Sequence, residues 1–161
     1  MTRRATAAAL TSVLSVAAGC SNEPDHAGRI KVDCSQTSAT TVEDFARAPL
    51  PASATSLEVF CDGVTDIYVR ARVVMPRRDL RRFLRGAGVD KPLRRGFRPF
   101  SEREDDPPTW QIKSIKRVLG HEEDCLVVTT PACASGLAGR KVIVDLDSPH
   151  RAIVYLEAFT T

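Results

Sequence analysis

The chain of 161 residues has no apolar run long enough for a membrane-spanning helix, which needs about 20 apolar residues. It also lacks the short motifs of several common chemistries. There is no C-x-x-C pair, no G-x-S-x-G nucleophile elbow, no glycine-rich phosphate loop and no dinucleotide fingerprint. We therefore expect no catalytic residues, no resident metal and no cofactor.

A large excess of one charge is also missing. The chain has 23 basic and 20 acidic residues, and removing the arginines at positions 3 and 4 leaves 21 and 20. Such a balance is not the electrostatic footprint of a nucleic-acid-binding protein, so no nucleic-acid partner is expected. The distribution is uneven, because nine basic and two acidic residues lie between Arg77 and Arg98.

The first twenty residues have the three parts of an export signal. An arginine pair supplies positive charge, residues 5–18 are mostly small and apolar, and small residues precede Cys20. The sequence VAAGC at residues 16–20 resembles the lipobox of bacterial lipoproteins. That resemblance implies removal of residues 1–19, a lipid on Cys20 and a location on the extracytoplasmic face of the cell membrane. The alternative is an ordinary secretory signal cut near Ala18, with Cys20 left as a free thiol.

The five cysteines support a lipid on the first of them. With Cys20 carrying lipid, an even number remains for disulfides in an oxidising compartment. Proximity along the chain favours the pairs Cys34–Cys61 and Cys125–Cys133, and the two other connectivities stay open. A four-cysteine zinc site would need closely spaced ligand pairs, which the sequence does not have.

The chain divides into a tether and one domain. Residues 20–29 are polar and lack apolar periodicity, so we interpret them as a lipid-anchored tether, and residues 30–161 have the length of a single domain. Five apolar or alternating segments predict β-strands. These are Leu57 to Cys61, Ile67 to Val74, Leu126 to Thr129, Val142 to Leu146 and Ala152 to Phe159. Another alternating segment starts at Trp110 and runs to Ile112.

One main helix is predicted after the first two strands. It begins near Pro76, which suits a first helical turn, and it ends at Gly86 to Gly88. Its apolar stripe comprises Leu80, Phe83, Leu84 and Ala87. A shorter helical turn is expected at Thr41. The sum is an α+β domain, with an antiparallel sheet of about five or six strands and one main helix packed on a face.

The order of these elements resembles small uncharacterised lipoproteins of actinobacteria. The shared features are a hairpin, a helix opened by Met75-Pro76, a single tryptophan and paired C-terminal strands, preceded by LPASAT at residues 50–55. The resemblance covers most of residues 50–160. It implies a membrane-anchored lipoprotein and brings no catalytic residues.

The helix and the residues after it carry the clearest candidate binding surface. This basic patch comprises Arg78, Arg81, Arg82 and Arg85, followed by Lys91, Arg94, Arg95 and Arg98. The four helical arginines recur at i, i+3, i+4 and i+7, so we expect them on one face opposite the apolar stripe. They predict an acidic partner, such as an anionic lipid, a wall polymer or an envelope protein. Alternatively, the patch is a solvated face neutralised by the acids at residues 102–106.

Three further features of the sequence each lead to a structural prediction. The HEEDC sequence at residues 121–125 lacks the second histidine of a zinc-protease motif, so we predict an exposed acidic turn. Residues 88–109 contain four prolines and predict either a mobile functional loop or a poorly ordered segment. Tyr68, Trp110 and Tyr155 are expected in the core or in cross-strand pairs rather than in a ligand pocket.

These patterns predict a membrane-anchored extracytoplasmic lipoprotein that binds a partner and has no catalytic activity of its own. Two alternatives remain. An envelope hydrolase would use acids such as Asp66, Asp145 or Glu157, provided that two of them meet in a cleft. A wall-associated structural protein would act through the basic patch.

Overall fold

A computed structural model describes residues 34, 38–62, 67–125 and 137–160 of the chain. The strands are β1 (Ser56–Asp62), β2 (Tyr68–Pro76), β3 (Arg94–Arg95), β4 (Val118–Asp124), β5 (Gly139–Asp145) and β6 (Arg151–Phe159). The helices are α1 (Ala39–Phe45) and α2 (Leu80–Gly86), and 3₁₀ turns occupy Arg77–Asp79 and Ile112–Ser114. None of the helices described is long and apolar enough to span a membrane.

The strands form one sheet in the order β1-β2-β6-β5-β4-β3, and every neighbouring pair is antiparallel. This confirms the α+β class and the predicted sheet of five or six strands. Strands β1, β2, β5 and β6 match predicted segments to within three residues at each end. The predicted strand at 126–129 lies outside the described residues.

Two local predictions are wrong. Trp110 leads into a 3₁₀ turn rather than a strand. The acidic sequence at residues 121–125 belongs mostly to strand β4 rather than to a turn. Residues 121–124 are all polar or charged, so the sequence shows no alternation of apolar and polar side chains there. The period of two that a strand requires is visible only in the alternate burial of these residues.

The end of α2 is confirmed and has a Schellman geometry. Gly88 has a φ of 69°, which glycine adopts without strain. Its N–H donates to the Arg85 carbonyl at 3.0 Å, and the N–H of Val89 donates to the Leu84 carbonyl at 2.8 Å. The motif reverses the chain, so residues 89–93 and α2 line the same cavity.

One face of the sheet packs against both helices, and we call it the helix face. Its core includes Val42, Phe45, Val69, Ala71, Val73, Phe83, Val142, Val144, Val154 and Leu156. Arg140 is buried among them. Its Nη2 donates to Glu123 Oε2 at 3.0 Å, and its Nη1 donates to the Ala46 carbonyl at 3.3 Å. This side chain therefore joins β4 and β5 to the end of α1.

The opposite face is covered by residues 96–117, which we call the covering segment. The core on this face comprises Trp110, Ile112, Ile115, Val118, Ile143 and Tyr155. The rings of Trp110 and Tyr155 meet edge to face at 5.6 Å, an arrangement that contributes about 0.5–1.5 kcal/mol. Tyr68 stacks on Phe159 across the strands, also at 5.6 Å. The predicted core and cross-strand roles of these aromatic residues are confirmed.

Arg70 forms the polar centre beneath the covering segment. Its side chain is fully buried and pairs with Asp106 and, at 3.4 Å, with Glu157. Its Nη2 donates to the Ser101 carbonyl at 3.2 Å, and the Trp110 ring centroid lies 4.8 Å from its guanidinium carbon. Strand alternation alone would leave this arginine facing solvent, but the covering segment buries it.

The acids at residues 102–106 do not neutralise α2, contrary to the alternative drawn from the sequence. Asp106 pairs with Arg70, while Glu102 accepts the Lys113 N–H at 2.8 Å. Within the part of the chain that the structure describes, no ion pair joins these acids to the arginines of α2. Asp106 ties the covering segment to the sheet, whereas Glu102 bonds within the segment itself.

Replacing Arg70 with Met should lower the free energy of unfolding by about 3–5 kcal/mol, because Asp106 would stay buried without its cation. Urea unfolding followed by Trp110 fluorescence measures the loss. Arg72→Met is the control, since its ion pair with Glu58, at 2.9 Å, is more exposed and should contribute less. Equal losses in the two variants would contradict a central role for Arg70.

Candidate functional site

A groove of about 780 Å³ lies between α2 and residues 89–93. We call it the leucine groove. Its floor comprises Leu80, Leu84, Val89, Leu93, Leu119 and Leu146, which continue the core of the helix face. Five of these six side chains are only half-buried. An apolar floor left open to solvent is typical of a binding surface.

Cationic side chains line the same groove. Arg77, Arg81, Arg85 and Lys91 surround the apolar floor, and Asp90 is the one acidic residue among the lining side chains that the structure describes. Long basic side chains can lie along apolar surface while their charged ends stay in water. The groove therefore offers apolar contact along its floor and positive charge at its rim.

A second cavity of about 400 Å³ adjoins the groove, and we call it the cationic cavity. The two cavities share Arg77, Leu119 and Leu146 as lining residues. Arg95, Lys116 and Arg117 add positive charge, and no acidic residue is found among the described side chains that line it. Apolar and cationic sections are thus continuous at one end of the sheet.

Basic side chains far outnumber acidic ones around the two cavities. Together they are lined by seven basic side chains: Arg77, Arg81, Arg85, Lys91, Arg95, Lys116 and Arg117. None of the seven forms an ion pair with a carboxylate of the described residues. Unpaired like charges in a concave surface raise the local potential and attract anions.

Asp147 fixes the backbone that carries two of these cations, Lys116 and Arg117. Its carboxylate accepts the backbone N–H of Lys116 at 2.9 Å and that of Arg117 at 2.6 Å. These two bonds, led by the one from Lys116, hold the pKa of Asp147 below its usual value of 3.8. The connection between β5 and β6 thereby orients the edge of the cationic cavity.

The covering segment contributes both of its ends to the cationic cavity. Gly96 near its start and Arg117 at its end both line the cavity. The Gly96 N–H donates to the Val118 carbonyl at 3.0 Å, which brings the two ends together. Nearby, a Cβ at Gly120 would lie 2.2 Å from the Phe97 carbonyl oxygen, so only glycine fits where the segment crosses β4.

The structure divides the predicted helical arginines into two pairs. Arg81 and Arg85 line the leucine groove beside the apolar stripe, whereas Arg78 and Arg82 are exposed elsewhere. All four arginines are exposed, as expected, but only two of them line the groove. Arg78 precedes the α-helix and belongs to the 3₁₀ turn, whose residues have a different angular spacing.

The rest of the basic patch is divided in the same way. Lys91 and Arg95 line the cavities, whereas Arg94 stacks on Phe97 at 3.4 Å and Arg98 donates to the Ile115 carbonyl at 2.6 Å. Sequence reasoning missed three lining cations: Arg77, Lys116 and Arg117. Arg77 adjoins the predicted patch. The other two come from a distant part of the chain that strand pairing brings close.

Strand β4 places the side chains of residues 121–124 on alternate faces of the sheet. His121 and Glu123 are buried on the helix face, and Glu122 and Asp124 are exposed on the other face. Glu123 accepts a hydrogen bond from Arg140, and burial lowers the pKa of His121 below 6.5. Among the residues described, no group of three or more histidine, cysteine or acidic residues could hold a metal ion.

The acids considered for a hydrolase do not meet in a described cleft. Asp145 pairs in register with Ile153, and Glu157 lies four residues farther along β6, roughly 13 Å away at the usual strand rise. Glu157 is buried against Arg70. Asp66 lies outside the described residues.

One predicted disulfide is confirmed. Cys34 and Cys61 are bonded, with their Cα atoms 5.2 Å apart. Cys125 is also disulfide-bonded. Cys133 lies outside the described residues, so the pairing of Cys125 with Cys133 stays a prediction. Cys20 lies outside them as well.

Replacing Asp147 with Ala should lower the melting temperature at pH 7, because two backbone N–H groups lose a charged acceptor. A lowered carboxyl pKa contributes stability that is complete above the unfolded-state pKa of about 3.9 and is lost as the pH falls through the folded value. The difference from wild type should stay constant from pH 7 to about pH 5 and shrink below about pH 3.9. Scanning calorimetry measures it.

Glu104→Ala is the matched control for this prediction. Glu104 is exposed and forms no ion pair or hydrogen bond within the described part of the chain. Its removal should leave the melting temperature unchanged. A difference for Asp147→Ala that remained full at pH 3 would show that the carboxylate charge is not the cause.

Comparison with protein-family models, with curated proteins and with solved structures finds no match for this chain. Its function is therefore inferred from the side chains of the two cavities. These are seven cations, one acidic residue and a floor of apolar residues at the end of the sheet.

Proposed function

We propose that this protein is a lipid-anchored binding module on the extracytoplasmic face of a bacterial membrane, and that its two adjoining cavities bind an acidic ligand. The single observation that carries the binding role is the ratio of seven basic to one acidic side chain around an open apolar floor. An anion placed there would offset charge that the described residues leave unpaired.

Two observations support the anchor and the compartment. The VAAGC sequence at residues 16–20 supplies a cysteine where lipoproteins carry their lipid. The disulfide between Cys34 and Cys61 fits an oxidising environment. Under this proposal the domain stays near the bilayer on the short tether of residues 20–29.

The lining residues favour binding over catalysis. No serine, cysteine or histidine is found among the described side chains that line either cavity. The groups present are guanidinium and ammonium ions, one carboxylate and aliphatic side chains. Such groups hold an anion and cover its apolar part, which are the contacts that a binding module requires.

The anchor predicts a defined chemical form of the mature protein. Expressed in a bacterial host, the full-length chain should fractionate with membranes and begin at a diacylglyceryl Cys20. Cys20→Ala should leave the membrane fraction, because the acyl chains that hold the protein in the bilayer are lost. Mass spectrometry of the membrane-extracted protein checks both statements. A mature protein that is cut near Ala18 and carries no lipid on Cys20 would contradict the anchor.

The acidic ligand is tested with two related fluorescent probes. Anilinonaphthalene sulfonate carries a sulfonate, and N-phenyl-1-naphthylamine has nearly the same rings without it. The full-length chain with Cys20→Ser has no acyl anchor. It should bind anilinonaphthalene sulfonate more tightly than N-phenyl-1-naphthylamine. Arg81→Gln with Arg85→Gln should weaken sulfonate binding by about five- to thirtyfold, since each rim cation contributes up to about 1 kcal/mol.

The matched control is Arg78→Gln with Arg82→Gln, which removes the same charge from the neighbouring exposed positions. This pair should change sulfonate affinity less than threefold. Near-ultraviolet circular dichroism confirms that each variant is folded. Equal weakening by both pairs, or equal affinity for the two probes, would contradict an acidic ligand in the groove.

A further inference from the structure

We infer that the natural ligand is a single-chain amphiphile with an anionic head group, bound as one molecule. This inference rests on the proposed function and names its ligand class. It assigns the head group to the cationic cavity and the alkyl chain to the leucine groove. The basis is that a cationic and an apolar section adjoin each other at the same three residues.

The cationic cavity fits an oxyanion. Four basic side chains line it, and none of its described lining residues is acidic. A guanidinium can donate two parallel hydrogen bonds to a carboxylate or phosphate, and an ammonium adds a compact point charge. Asp147 holds the backbone of Lys116 and Arg117, so the points from which these two side chains extend are fixed at the cavity.

The leucine groove fits an alkyl chain. Its six aliphatic floor residues have no polar atoms in their side chains, and its volume of about 780 Å³ lies within the usual range for ligand sites. Leu119 and Leu146 border both cavities, so an alkyl chain could continue from the head group onto the floor without leaving apolar contact. Arg81 and Arg85 flank this path with their aliphatic stems.

The same floor argues against a purely hydrophilic anion. A wall polymer of repeated phosphates could pair with the seven cations, but it would leave five half-buried floor residues in contact with water. An alkyl chain removes that apolar surface from water, and each buried methylene strengthens binding by about fourfold. Only a ligand with both an anionic head group and an alkyl chain pairs with the cations and also covers the apolar floor.

The experiment measures how affinity depends on chain length. Octanoate, decanoate and dodecanoate displace the naphthalene sulfonate from the full-length Cys20→Ser chain, each below its micelle concentration. We expect affinity to rise about four- to fifteenfold for each added pair of methylenes, the lower value applying to a half-open groove. Dodecanol should bind more weakly than dodecanoate.

Variants separate the two parts of the site. Arg95→Gln with Arg117→Gln should weaken all three acids by the same factor and leave the chain-length dependence intact. Leu84→Gln should flatten that dependence. Arg78→Gln with Arg82→Gln should alter neither. If Leu84→Gln does not fold, the chain-length series on the parent chain decides alone.

Two failures can be told apart. Equal affinity for octanoate and dodecanoate, together with sulfonate binding that depends on Arg81 and Arg85, would overturn the amphiphile and leave an acidic ligand in place. Sulfonate binding that ignores those arginines would overturn the proposed function and this inference together. Retention of inorganic pyrophosphate as tightly as dodecanoate would likewise identify a hydrophilic anion.

Discussion

A buried guanidinium constrains this fold. Arg70 lies on the face of the sheet that the helices do not cover, and an arginine without counter-charges could not remain there. Asp106 and the Ser101 carbonyl meet it from the covering segment, and Glu157 meets it from β6. The covering segment is therefore tied to the sheet at its middle, and its two ends are left at the sheet end where the cationic cavity forms.

The apolar floor of the leucine groove has a related origin. Both faces of the sheet are closed, one by two helices and the other by the covering segment. Each helix has only seven residues, so α2 is too short to extend over the whole edge of the core. The leucines beyond it remain half-buried. Arg81 and Arg85 border this gap, whereas Arg82 on the same helix does not line it.

Local patterns predicted the hairpin strands, the helix α2 and its glycine end. In each case the decisive interactions are between residues close in sequence: alternation on a strand, an apolar stripe on a helix, a positive φ at Gly88. The pattern failed at β4, because four of its seven residues are His121, Glu122, Glu123 and Asp124. Two of those four are buried, and Glu123 is accommodated by Arg140 on the next strand. Without the pairing of β4 with β5, nothing marks that arginine as its partner.

The sequence by itself determined part of the site and most of its framework: a cluster of cations after β2, an amphipathic helix, and the nearness in sequence of Cys34 and Cys61, which the structure shows bonded. Only the tertiary structure decided which cations act together. Arg81 and Arg85 line the groove while Arg78 and Arg82 do not, and Lys116 and Arg117 join from some twenty residues beyond Arg95. The physical reason is that cations raise the electrostatic potential at one site only when they lie close to one another in space. That distance was set by the Arg70 contacts and by strand pairing, which residues far apart in sequence make together.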